Sequence, residues 1–193
     1  MRIAMISAML LAGFPAAAQV LDEKAAQAAL FPVRGHVVQV SSKLSERDQK
    51  TVRALVPLMA KQLRQPVRYY AAIAYSPKDG LAHDSIQAAM NYHSIEAASA
   101  AAVRACNKER SRGAPSCQLA ARMVPKRYKP RALTLSIDAT AAFEKAYRKA
   151  KSPKAFAISP SSGSWGMGTS DAAAKAACEK NGRPKDCRIV IRD

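Results

Sequence analysis

Ala72 to Gly80 reads AIAYSPKDG, and Ala155 to Gly163 reads AFAISPSSG. Ala72/Ala155, Ala74/Ala157, Ser76/Ser159, Pro77/Pro160 and Gly80/Gly163 are identical across the two stretches. Outward from each, the same landmarks recur in the same order. An alanine-rich stretch ends in a cysteine (Cys106, Cys178), then a Gly-x-Pro turn follows (Gly113 to Pro115, Gly182 to Pro184). A second cysteine (Cys117, Cys187) opens an apolar run. An ordered series of this kind marks an internal repeat. In each copy the apolar start predicts a strand and the Pro-x-x-Gly a turn; in the first, Pro77 presets φ and Gly80 accepts φ > 0. The alanine-rich stretch predicts a helix and the last run a strand. Such a unit has a sheet face and a helix face to bury and is too small to do so alone. The expected fold is therefore α+β: two ββα-Cys-Cys-β repeats packed together, with an N-terminal strand–helix extension.

The repeat also chooses a cysteine pairing. Four cysteines allow three pairings, and equivalent positions in two self-similar units give Cys106–Cys117 and Cys178–Cys187. Each bridge then ties a helix C-terminus to the next strand. A zinc site would place its ligand pairs two to four residues apart, far closer than these, so no metal and no cofactor are expected.

The N-terminus reads as an export leader. Arg2 is its one charge, Ile3 to Phe14 its apolar core, and Ala16-Ala17-Ala18 its small-residue cleavage site. Twelve apolar residues fall short of the ~20 that span a bilayer, and no later segment predicts a transmembrane helix. Cleavage near Ala18 would leave a periplasmic or secreted protein in an oxidising compartment, where disulfides persist. Beyond it, 19–65 reads as the strand–helix extension and 66–125 as the first repeat. Then come a basic linker with a strand (Ala132 to Ile137) and a helix, 126–152, and the second repeat, 153–193. In the extension, Val33 to Val40 predicts a strand. Ser45 starts an amphipathic helix whose exposed stripe is Lys50, Arg53, Lys61 and Arg64, with Pro57 set to kink or split it. Asp138 and Thr169 are read as caps of the later helices.

The chain carries 31 Lys and Arg against 14 Asp and Glu, a net charge of +17, or +16 once Arg2 leaves with the leader. Between Arg104 and Lys154, fourteen basic residues face three acids, Glu109, Asp138 and Glu144. Such a field attracts polyanions. For an exported protein these are an anionic envelope component or an acidic protein before nucleic acid, which is not the expected partner in vivo. The densest cluster is Lys126, Arg127, Tyr128, Lys129 and Arg131. With the single tryptophan, Trp165, it forms the candidate binding set.

No catalytic pattern stands out. The chain has three histidines, His36, His83 and His93, none in a spaced metal motif, and His83 and His93 are expected at the surface or in turns. No nucleophile elbow, P-loop or HExxH motif occurs. The reading is a non-enzymatic binding module. The alternatives are an inhibitor or immunity-type protein against a secreted enzyme, and an envelope-directed hydrolase.

Ala157, Ser159, Gly163, Trp165-Gly166, Ala172 to Ala174, Cys178 and Cys187 together resemble a family of small secreted bacterial domains of unknown function. That family's pattern is a strand ending in Ser, a Gly turn, a Trp-Gly return, an Ala-rich helix ending in Cys and a second Cys leading into a strand. The first stretch departs from it, with Met90-Asn91-Tyr92 near the place of Trp-Gly. The resemblance implies an exported, disulfide-bonded module and no particular activity.

Overall fold

A computed structural model describes residues 19–62 and 67–193. The export leader expected at 1–18, and Arg64 of the extension's basic stripe, lie outside the described residues. The fold is mixed α+β, with five α-helices and two antiparallel sheets among the described residues. The first sheet has the order β1-β4-β2-β3, built from His36–Val40, Gln118–Pro125, Ala71–Tyr75 and Gln87–Ala89. The second has the order β6-β5-β7, from Trp165–Gly168, Ala155–Ile158 and Arg188–Arg192.

Each sheet lies between helices. Strand β2 turns Ala72 and Ala74 toward helix α3 (Ile95–Glu109), and Ala71 and Ile73 toward α2 (Glu46–Gln62). Strand β5 does the same: Ala155 and Ala157 face α5 (Asp171–Lys180). Phe156 and Ile158 face the cluster made with α4 (Ile137–Lys145) and α1 (Glu23–Ala29). The alanines common to the two stretches are thus the floor on which an alanine-rich helix rests. Methyl-sized residues on both surfaces allow close packing, at little apolar area per contact. Both β2 and β5 shift register against their long neighbour at one place, between Ile73 and Ala74 and between Phe156 and Ala157. These are matching positions in the two stretches.

Helix starts follow the capping rule. Asp22, Ser94, Ser136 and Ser170 accept from the backbone N–H three residues on. The caps of α4 and α5 are therefore Ser136 and Ser170, where Asp138 and Thr169 were expected. Ser45 forms a capping box with Asp48, accepting its N–H at 3.1 Å and donating to its carboxylate at 2.8 Å. Pro57 neither ends nor splits α2. It sits on the exposed side with Arg53, so water can serve the carbonyl that loses its partner.

The strand expected at 132–137 does not form. Leu133 and Leu135 do point into the core, but the backbone joins neither sheet. Instead the N–H groups of Ser136 and Ile137 are taken by the His93 ring and the Tyr69 carbonyl.

The two disulfides are Cys106–Cys117 and Cys178–Cys187, with Cα atoms 6.1 and 6.2 Å apart. Each joins the last turns of a helix to the residue before a strand. No helix among the described residues is long and apolar enough to cross a membrane.

Candidate binding surface

Strand β4 leaves the first sheet at Pro125 and enters the basic loop through a tight turn. Tyr128 N–H donates to the Pro125 carbonyl at 3.2 Å, and Arg127 takes a left-handed φ of 57°. From here the expected site residues separate. Tyr128 turns inward to an aromatic cluster, with ring centroids 5.8 Å from Phe31 and 5.7 Å from Tyr70. Arg131 lies over the Phe31 ring at 3.7 Å and donates to the carbonyls of Ala29 and Leu30 at 2.8 and 2.7 Å. It closes the C-terminus of α1, where a cation suits the orphan carbonyls. Lys126, Arg127 and Lys129 remain exposed. Trp165 stacks on Phe156 at 5.6 Å in the second segment's core and stays half-buried. The loop and the tryptophan therefore belong to different clusters.

What the loop's exposed cations join is the β1–β4 ribbon. Beside α3, the strands β1 and β4 floor an open trough of about 560 Å³, lined by Gln39, Gln118, Leu119, Arg122, Val103 and Lys43, among others. Arg122 pairs with Gln39 in the middle of the ribbon. The stem of Lys126 crosses Gly35, whose added Cβ would meet it at 3.0 Å. Lys43 stands at the other end. No carboxylate occurs in 24–45 or in 110–137, the two stretches that supply these strands. Composition alone shows that both are acid-free. That they lie side by side is a matter of topology.

His93, expected at the surface or in a turn, lies in a bend but is buried, the bolt of the molecule. His93 is 2% exposed. Its Nδ1 accepts from Ser136 N–H at 3.1 Å, and its Nε2 lies 2.8 Å from the Ser164 carbonyl. The ring is therefore the neutral Nε2–H tautomer, joining the first hairpin's exit, the α4 cap and the second hairpin. Burial, which disfavours the charged ring, lowers its pKa to about 4, against the pull of Ser164 and Asp186. Nearby, Asn91 donates to Asp138 at 2.8 Å, and Arg68 pairs with the same carboxylate. The exit that builds this joint is part of the eleven positions by which Gly80 to Cys106 exceeds Gly163 to Cys178.

Two more buried groups are structural. Lys154 is buried, donating to Glu23 at 2.6 Å and to the Tyr147 carbonyl at 3.1 Å. Ser159 is buried and donates to Asp186 at 2.6 Å. Burial works to raise the Asp186 pKa, but the hydrogen bonds from Ser159 and Ser161 prevail and hold it below the usual carboxylate value. Among the described residues no histidine nitrogen bonds a hydroxyl or a carboxylate, and no cluster of His, Cys, Asp or Glu could hold a metal ion. Comparisons with known protein families, curated proteins and solved structures find no match to this chain.

Proposed function

We propose that the chain is an exported, non-enzymatic binding module for an anionic partner, built from two copies of one hairpin–helix–strand unit. Support for the duplication is the same order of three strands (β4-β2-β3 and β7-β5-β6), the same register shift, the same disulfide placement and the same buried serine (Ser76, Ser159) in both segments. The resemblance to secreted cysteine-paired domains points the same way. The partner is an acidic protein or an anionic envelope component.

The observation that carries the binding reading is the acid-free β1–β4 ribbon with Lys43, Arg122 and Lys126 along it and Arg127 and Lys129 beside it. A field of one sign raises the local concentration of opposite charge and fades within a Debye length, about 8 Å at physiological salt. Binding to lipopolysaccharide, anionic vesicles and acidic proteins is therefore expected at low salt and should weaken steeply as salt rises. Negligible affinity for all three at low salt would end this reading.

A further inference from the structure

The two sheets end differently at matching edges. In the second, the outer side of β7 is met by the chain's own Leu21, whose N–H donates to Val190 at 3.0 Å and whose carbonyl accepts from Arg192 at 2.9 Å. In the first, β1 occupies that place beside β4, and among the described residues nothing pairs with β1's outer side. Five residues of extended backbone, HVVQV, form this edge, with Val37 40% exposed. An uncovered β-branched edge is a template for another strand, and charge along it repels like-charged strands while admitting those of opposite sign.

The hydrogen-bond parity of β1 can be read directly. Ser41 N–H donates to the Ala120 carbonyl at 2.9 Å. In an antiparallel pair the bonded residues alternate, so Val37 and Gln39 also face β4. The N–H and C=O groups of His36, Val38 and Val40 point outward. Cations flank that row: Arg34 and Lys126 at the His36 end, Arg122 opposite Gln39, and Lys43 beyond Val40.

We infer that β1 is a docking edge for an extended acidic segment of a partner protein. The segment would add as a fifth strand, with carboxylates reaching the flanking cations. This rests on the anionic-partner reading and narrows it to polypeptide. Main-chain bonds provide affinity in such strand addition, and side chains provide choice.

The test uses the whole protein without its leader and three probes. These are a peptide of five Glu-Thr repeats, its Lys-Thr counterpart, and phosphatidylglycerol vesicles. Amide hydrogen exchange should slow at His36, Val38 and Val40 with the Glu-Thr peptide, stay unchanged at Val37 and Gln39, and show no effect with Lys-Thr. The exposed double variant Lys43→Glu/Lys126→Glu should weaken the peptide by about tenfold or more. The exchange pattern needs no variant, so it decides the matter whether or not that variant folds. Vesicle binding without peptide binding overturns the strand-docking proposal and leaves the anionic-partner reading standing. Peptide binding without protection on β1 overturns it too. If peptide and vesicle both fail at low salt, and lipopolysaccharide and acidic proteins fail with them, both readings fall.

Discussion

Where β6 meets α5, two glycines let the helix backbone lie on the strand. A Cβ at Gly166 would come within 2.2 Å of Cys178 N, and one at Gly168 within 2.6 Å of the Ala173 Cβ. Where β3 meets α3, the matching positions opposite Ala74 and Ala72 are Gln87 and Ala89. From Gly163 to Cys178 the second segment needs 15 steps, and from Gly80 to Cys106 the first needs 26. The first segment's extra residues include its turn after Gly80 and the exit Met90 to His93. That exit forms the joint to the rest of the chain, through Asn91 on Asp138 and His93 between Ser136 and Ser164. The second segment is packed for closeness, and the first is extended to make the junction.

The sharpest way to break this contrast is to give both strands the same residue. Gly166→Ala should cost about 3 kcal/mol or more, since helix backbone cannot yield like a side-chain tip. Gln87→Ala at the matching place should cost under about 1 kcal/mol. Thermal melts of the two variants decide it, and equal losses would sink the comparison.

The junction should show in the pH dependence of stability. His93 has a folded pKa of about 4 against the usual 6.5. Between those values the unfolded chain takes up a proton that the folded one refuses. Stability should therefore be full above 6.5 and fall by about 3 kcal/mol as pH drops to 4. Asp79, with a pKa lowered to about 2 by the Ser76 hydrogen bond first and the Ser111 N–H next, acts further down, below its ordinary 3.8. Urea melts at pH 7, 5.5 and 4 should show this slope in the natural chain and lose most of it in His93→Gln. An unchanged slope in the variant would assign it to other groups.

The disulfides should be nearly equal in spite of the different hairpins. Closing separations of 11 and 9 residues gives about 2.5–3 kcal/mol each in the chain-entropy model. Replacing Cys106 and Cys117 together by Ser should cost what replacing one does, and the Cys178/Cys187 pair should behave alike. A pair whose removal leaves the melting temperature unmoved would contradict the account.

The smallest effect separates frame from surface in the basic loop. Arg131→Ala should lose about 1–2 kcal/mol, from the α1 carbonyls and the Phe31 ring. Lys129→Ala should stay within about 0.5 kcal/mol. Chemical denaturation of both reads the difference, and a costly Lys129→Ala would place the loop's exposed cations in the frame as well.

Local chemistry is legible in the chain itself. The turn at Gly80, which takes a φ of 81°, the helix start at Ser45 and most strands depend on φ preferences and short-range hydrogen bonds, which neighbours in sequence supply. Gly163 lies outside the left-handed region and is needed because an added Cβ would meet the Asn91 carbonyl at 2.2 Å. The cysteine pairing was legible because Cys106 and Cys117, like Cys178 and Cys187, lie in matching places of two similar stretches. Three things were decided only in three dimensions. Leu133 and Leu135 alternate like a strand, yet their segment pairs with no sheet, because His93 and Tyr69 take the amides that follow. Tyr128 and Arg131 look like ligand-binding groups in a basic run, yet the core claims one and the end of α1 the other. The β1–β4 ribbon joins two acid-free stretches separated by more than sixty residues. Long-range pairing and burial settle such outcomes, because a side chain's role depends on which distant surface it meets, and no local preference encodes that.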